Sequence, residues 1–358
     1  MARQGQNPMR WVQKLEDPAP LTLATIVAIP ELSGFWEQSL VTLRACLDSV
    51  LAHTPQPFDL MVLDNGSCAE VRSYLQDLAD EGAIDLLLLS RRNLGKVGAW
   101  NALFALSPGQ WTSYFDSDVY FLPGWWEASK QILEAYPEAL TVTAQPIPGD
   151  LSRHCDATLA GAREHPGTQS QEGDDLIPPP LVESHRQGLG EEPETYAKRL
   201  RARREVLLRR PGAAANEGKS SEVEAYVSSS HFQFSSPTEA LRAFFPLPTS
   251  IPLGDDPAFD TAVDAAGAWR LSTVGYHVHH LGNRTPELAT ELPWAPAQAL
   301  RWGGEGAEPS NRGAIGPQGR EQRRGRGQGL RRRLAHSPRV RRWLKAAHRQ
   351  IYSLLYES

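Results

Sequence analysis

Cysteine is scarce in this sequence: three in 358 residues, Cys46, Cys68 and Cys155, at irregular spacing. So few thiols exclude a disulfide framework or a cysteine-based zinc site and point to a reducing compartment. Long apolar runs are lacking too. No window approaches the roughly 20 apolar residues a membrane-spanning helix needs. The polar segment Met1 to Lys14 has no apolar stretch of the kind a secretory leader carries. The expectation is a cytoplasmic protein, with peripheral contact at the inner membrane face as an option. The G-x-G-x-x-G spacing of dinucleotide-binding folds is missing, as is any internal repeat, and no nucleic-acid partner is expected.

What is present is core-forming material. Hydrophobic residues make up 41% of the chain, with ten Trp, enough for one large α/β domain or two small ones. The net charge of −5 hides an asymmetry. Residues 301–358 hold 14 Lys and Arg against 4 Asp and Glu, a net of +10, and the remainder carries −15. An acidic body with a basic tail is consistent with a tail that meets something anionic, or with one that is merely solvated or folds back on the body.

Periodicity organises the first 145 residues. Leu21–Ile29 is an almost unbroken apolar run ending at Pro30, the pattern of a buried parallel strand. Glu37–His53 has helical spacing. Phe58–Leu63 reads as a strand that stops at the turn residues Asp64-Asn65-Gly66-Ser67. A helix over Glu70–Ala79, a strand over Ile84–Leu89, a glycine-bearing loop at Asn93–Gly98 and a helix over Ala99–Leu106 follow. Trp111–Phe115 reads as a strand running into Asp116-Ser117-Asp118. Pro123 opens a helix to Tyr136, and Ala139–Ala144 is a strand. Such alternation implies βαβ units and a mostly parallel sheet flanked by helices, whose ligands bind at the carboxyl ends of the strands.

The pattern dissolves over an insertion at about 145–220, read as partly mobile with one or two helices. A strand is expected at Glu224–Phe234, a helix at Pro237–Phe245, a helix from Asp256 to about Ala266, and a last strand at Arg270–His280. The organisation is therefore an extension (1–20), a main domain (21–290), a disordered Gly/Arg-rich linker (291–336) and a basic amphipathic helix (337–358). That helix is expected either to lie on an anionic membrane surface or to dock on the main domain or a second copy.

Several polar clusters fall at strand ends. Asp116 and Asp118, at i and i+2 where a buried strand turns, suit a hard divalent cation. Mg²⁺ takes one or two carboxylates plus phosphate and water, and Mn²⁺ accepts similar ligands. Asp-Ser-Asp is equally good turn material. Asp64 would accept from a base N–H or a ribose hydroxyl, with Asn65 and Ser67 shaping the pocket, or the segment is a turn only. In Asn93-Leu-Gly-Lys-Val-Gly-Ala-Trp-Asn101 the glycines, Gly95 among them, let backbone approach a ligand. Lys96 suits phosphate or the surface. Asp256 before Pro257 reads as a helix cap, or, with Asp255, as a general base. His277, His279 and His280 offer an imidazole to a metal.

In this order, Ile29-Pro30, LRACLDSVLAHT, MVLDNGS, RRNLGKVGAWNALF, YFDSD and FLPGWWEA, the chain resembles the family 2 glycosyltransferases. The resemblance spans roughly Thr22–Ala144 and resumes weakly over Tyr226–Asn283. It implies a GT-A fold, Rossmann-like, and transfer of a sugar from a UDP- or GDP-sugar to an acceptor hydroxyl with Mg²⁺ or Mn²⁺ and inversion. It gives Pro30, Asp64, Asn65, Ser67, Asn93, Gly95, Lys96, Asn101 and Asp116 to the nucleotide sugar. Asp116, Asp118 and His280 (or His277 or His279) go to the metal, and Asp256 with Asp255 to catalysis. Asp-Asp stands where Glu-Asp is more usual, and the insertion leaves the acceptor open among glycan, glycolipid and protein. A degenerate sugar-nucleotide-binding protein is the alternative. A nucleotidyltransferase is disfavoured, since Pro30–Glu37 holds one Gly and no basic residue.

Overall fold

The computed structural model describes residues 17–302, except 150, 152–153, 203, 213–221, 250–255 and 285–286. Most of the expected N-terminal extension, most of the Gly/Arg-rich linker and all of the amphipathic helix at 337–358 lie outside the described residues. So does Asp255.

The chain forms β1 (Leu21–Val27), α1 (Ser39–His53), β2 (Phe58–Asn65), α2 (Ala69–Asp80), β3 (Leu86–Ser90), α3 (Gly95–Leu106), β4 (Trp111–Asp116), β5 (Val119–Phe121), α4 (Trp125–Ala135) and β6 (Ala139–Thr143). The inserted stretch adds α5 (Asp156–Glu164), β7 (Gln169–Gly173), α6 (Pro179–Gly188), α7 (Pro193–Arg199) and β8 (Glu205–Pro211). β9 (Glu222–Val227), β10 (Gln233–Pro237), α8 (Thr238–Arg242), α9 (Asp256–Ala265), β11 (Trp269–Thr273), β12 (Val278–His280) and α10 (Leu288–Glu291) complete the described part.

Ten strands make one sheet in the order β3-β2-β1-β4-β10-β6-β11-β9-β8-β7, and β5 pairs with β12 in a separate ribbon. Seven strands point one way (β3, β2, β1, β4, β6, β11, β8) and three, β10, β9 and β7, the other. The mostly parallel α/β architecture is as expected. β1 is buried along its whole length, which is why its sequence is apolar on both faces rather than alternating. One face of the sheet carries α1 and α2 over Leu23, Val27, Leu60 and Val62. The other packs α3 and α9 over Ala24, Ile26, Met61 and Tyr114.

Six readings change. α3 starts at Gly95, not Ala99, because Asn93 Oδ1 accepts the Gly95 N–H at 2.7 Å and seeds the turn. α4 begins at Trp125, with Pro123 outside it and Gly124 as its cap. The strand read over Glu224–Phe234 is two, broken at Ser228 with φ of 114°, so that β9 pairs β11 while β10 pairs β4 and β6. The last strand is also two, because β12 leaves the main sheet for β5. The insertion is ordered over most of its described length, and β7 and β8 extend the sheet edge. The packed part also runs past 290: Leu292 and Ala299 are buried, and Tyr120 donates to the Ala299 carbonyl at 3.0 Å.

Candidate active site

Register sets the site. β1 lies between β2 and β4, pairing Val27 with Asp64 and Ile26 with Asp116. The carboxyl ends of three parallel strands therefore deliver Asp64, Pro30 and Asp116 to one rim.

The Asp64–Ser67 turn is closed by its own side chains. Asp64 is fully buried; its Oδ1 accepts the Ser67 N–H at 2.9 Å, and Oδ2 meets Arg72 Nε at 3.3 Å. Ser67 Oγ accepts the Ile29 N–H at 3.0 Å and donates to the Val27 carbonyl at 3.3 Å, tying β1 to β2. Gly66 has φ of +88° and lies so close to the next loop that an added Cβ would stand 3.0 Å from Asn93 N. Only glycine takes both that backbone conformation and that contact. Asn65 spans the gap, accepting the Leu94 N–H at 2.8 Å and donating to Asn93 Oδ1 at 3.0 Å. Asn101 exchanges two bonds, each 2.9 Å, with the Leu247 backbone. Asn65, Ser67 and Asn101 thus hold loops together, while Pro30 is exposed.

Asp116 ends β4 beside the first turn of α3. Lys96 Nζ lies 3.1 Å from its Oδ2, and Tyr114 donates its hydroxyl to Oδ1. The Lys96 ammonium also stands 5.2 Å from the Trp100 ring centre and 5.7 Å from that of Tyr114, within reach of both π faces. The Asp116 N–H donates to the Phe232 carbonyl at 2.7 Å, which locks β10 against this corner.

The β5–β12 ribbon brings in the third group. His280 pairs with Val119 across it, and the Leu281 N–H donates to the Asp118 carbonyl at 2.7 Å. His280 Nε2 consequently stands 3.4 Å from Asp118 Oδ2, while Nδ1 lies 3.0 Å from the Gly188 carbonyl. A carbonyl only accepts, so Nδ1 carries a proton at this contact, and in the neutral ring the lone pair then lies on Nε2, the nitrogen that faces Asp118. Burial raises the Asp118 carboxyl above its usual range, the Asp116 charge adds to this, and His280 and Lys96 pull the other way. His279 is buried between Tyr276 Oη (2.9 Å) and Glu291 Oε2 (2.6 Å), and His277 Nδ1 faces the Pro123 carbonyl at 3.2 Å. Of the three histidines, His280 is the one that faces the acidic pair.

These donors suit a divalent cation. Asp118 supplies a hard oxygen and His280 a neutral nitrogen whose far N–H is bonded to a carbonyl, the usual support of a metal-ligating imidazole. Among the described residues no three His, Cys, Asp or Glu converge as a closed ligand set. An ion at Asp118 and His280 would draw the rest of its shell from diphosphate oxygens and water, the habit of Mg²⁺ sites.

Asp256 is the first residue of α9, and position 260 lies one turn further along it. Asp260 was not singled out by the sequence. Its buried Oδ2 lies 2.9 Å from Arg270 Nη2 and 2.8 Å from His231 Nε2. The i, i+4 spacing to Asp256 was the signal that could have found it. The His231 ring neighbours Trp100, and the Phe232 ring packs edge-on against His280. Gly188 was missed because a backbone carbonyl leaves no chemical mark in a sequence. The three cysteines are free thiols, and no helix among the described residues is long and apolar enough to cross a membrane.

Residues 38–178 match the family described as "Glycosyl transferase family 2". An uncharacterized glycosyltransferase of Nostoc sp. is 28% identical over 81 residues, 23% of this chain and 25% of that protein. The chain thus spans about a quarter of that relative's length. Among solved structures, GalNAc-T7 with UDP, GalNAc and Mn²⁺ aligns at a TM-score of 0.45 and 11% identity, over 74% of this chain and 43% of that one. The mannosyltransferase PcManGT from Pyrobaculum calidifontis, with GDP-Man and Mn²⁺, aligns at 0.40 and 14%, over 75% and 64%. The resemblance read from the motifs over Thr22–Ala144 is borne out from residue 38 to 144, and the family match runs on to 178, into the stretch read as an insertion.

Proposed function

Starting from a segment, residues 38–178, that carries the family 2 glycosyltransferase pattern, we propose that this chain transfers a sugar from a nucleotide sugar to an acceptor hydroxyl, assisted by a divalent metal. The observation that carries this reading is the approach of His280 Nε2 to Asp118 Oδ2, 3.4 Å apart at the carboxyl end of a parallel sheet. Asp118 and His280 would hold Mg²⁺ or Mn²⁺. An ion held there would neutralise charge on the departing diphosphate.

The neighbouring groups fit that chemistry. Lys96, one residue into α3, pairs with phosphate once a donor is bound, and the positive end of the helix favours the same anion. Asp116 supplies the second carboxylate beside it. The rim formed by Pro30 and the Asp64–Ser67 turn receives the base and ribose of a UDP- or GDP-sugar. Asp256, at the start of α9 with Asp255 before it, takes the proton from the acceptor hydroxyl. That oxygen then bonds to C1 on the face opposite the leaving diphosphate, and the electrons of the broken C1–O bond go to the diphosphate, with inversion. The acceptor is a hydroxyl of a glycan, glycolipid or protein.

A panel of UDP- and GDP-sugars assayed for donor hydrolysis and transfer, with Mn²⁺ and with chelator, tests the reading. Turnover that needs the metal and is lost in Asp118→Asn supports it. Turnover indifferent to chelation removes the metal from it. Near-normal turnover in Asp256→Asn removes Asp256 as the base.

A further inference from the structure

We propose that helix α6 of the insertion is a clamp on His280, and that the Gly188 backbone carbonyl is what keeps His280 Nε2 available to a divalent cation. The inference rests on the metal-assisted reading above and adds to it a positioning group from outside the family-matched segment, which stops at residue 178 where α6 begins at Pro179.

An isolated neutral imidazole can carry its proton on either nitrogen, and only one form offers Nε2 to a metal. The 3.0 Å contact from His280 Nδ1 to the Gly188 carbonyl selects that form and fixes the ring's rotation. The carbonyl suits the task because of its place in the helix. It is among the last in α6, where carbonyls project past the helical ladder and carry the negative end of the helix dipole. A proton held on Nδ1 beside that dipole leaves Nε2 the better electron donor. The adjacent carbonyl, of Gln187, accepts from Arg284 Nη2 at 3.0 Å, so two cationic or proton-bearing side chains of the β12 region engage the same helix end.

Glycine is required at the contact. A Cβ at position 188 would stand 2.9 Å from the His280 carbonyl oxygen and 3.2 Å from the His279 ring. The first is backbone and the second a ring locked at both nitrogens, so neither gives way easily. The helix is fixed independently of Gly188. Ser184 Oγ donates to the Glu291 carbonyl at 2.9 Å and accepts from Trp294 Nε1 at 3.0 Å, and His185 Nδ1 meets Tyr196 Oη at 2.8 Å. α6 is therefore a rigid reference against which His280 is set. The insertion thereby supplies a positioning group to the proposed metal centre.

The test uses the full chain as wild type, Gly188→Ala, Ser184→Ala and His280→Gln. Mn²⁺ is titrated calorimetrically, alone and with UDP or GDP. The histidine tautomers of the metal-free protein are read by ¹⁵N NMR, with His280→Gln assigning the signal. The expected result is an Nδ1–H tautomer for His280 in the wild type, lost in Gly188→Ala, with Mn²⁺ binding weakened about 10–100-fold, the usual cost of removing a ligand's supporting partner. Ser184→Ala loosens α6 without touching the contact, is expected to weaken Mn²⁺ a few-fold, and serves as the test should Gly188→Ala fail to fold. Folded variants of both positions that keep the wild-type Mn²⁺ affinity overturn the clamp and leave the metal reading intact. A wild type that takes up no Mn²⁺ under any condition overturns both.

Discussion

His280 and Asp118 meet across a two-stranded ribbon, Nε2 to Oδ2 at 3.4 Å, although 162 positions separate them in the chain. The gap is too wide for a strong hydrogen bond and comfortable for a shared cation. Asp118→Ala is expected to abolish Mn²⁺-dependent nucleotide binding and to lower transfer by about 10²–10³-fold, the scale of losing one preorganised electrostatic contact to a developing charge. Initial rates of wild type and variant at matched donor and Mn²⁺ concentrations check this.

Lys96 occupies the carboxylate that a bare diphosphate site would otherwise leave negative, 3.1 Å from Asp116. On the proposed reading the ammonium gains a phosphate partner when donor binds. Lys96→Met is expected to weaken UDP or GDP by roughly 1.5–3 kcal/mol, the worth of a hydrogen bond to a charged group. Titration of the nucleotide at fixed Mn²⁺ measures it. The Asp64 turn should respond differently, since Asp64→Ala leaves the Ser67 N–H and Arg72 Nε without that carboxylate and loosens the rim before any ligand arrives.

Asp260 is the buried carboxylate that Arg270 and His231 share. Asp260→Ala leaves the Arg270 guanidinium buried without its counter-charge, a change that typically costs about 3–5 kcal/mol. The low end is expected, because Arg270 keeps its bonds to Ser229 and to the His154 carbonyl. Urea unfolding gives the value, with Asp260→Asn expected to lose less.

Acid should weaken the docking of α6. Burial pushes the His185 imidazole down to about 3, with the charges of Arg199, His280 and His279 adding to the effect. The unfolded chain takes up this proton near its ordinary value of about 6.5 while the folded chain refuses it. Between those two values the unfolded state holds more protons, so stability rises with pH there and is lost as pH falls. The loss attributable to His185 is about 2–3 kcal/mol on going from pH 7 to pH 4.5. Urea midpoints at the two pH values check it, and His185→Gln, which keeps an acceptor for Tyr196, should flatten the difference.

The parallel half of the fold was legible because its strands announce themselves. β1 and β2 are largely apolar runs ended by Pro30 and by Asp64-Asn65-Gly66-Ser67, the look of buried central strands. The clusters at their ends followed from the topology. The breaks that the sequence hid come from tertiary pairing. Nothing in Glu224–Phe234 says that Ser228 must turn the chain from β11's side to β4's. β8 was masked by its charges: Arg209 and Arg210 sit in a strand because Glu224 and Glu138 take their guanidinium groups. The choice among His277, His279 and His280 was open in sequence, since it depends on the register of β12 against β5. Gly188 had no signal at all.

The central claim is a metal-assisted nucleotide-sugar site built on Asp118 and His280. Calorimetric titration of UDP and of GDP, with Mn²⁺ present and absent, on the wild type and on Asp118→Ala tests it most directly. The account predicts that one nucleotide binds only with Mn²⁺ and that Asp118→Ala loses that binding. Binding of neither nucleotide under any metal condition, or equal binding by the variant, would contradict it.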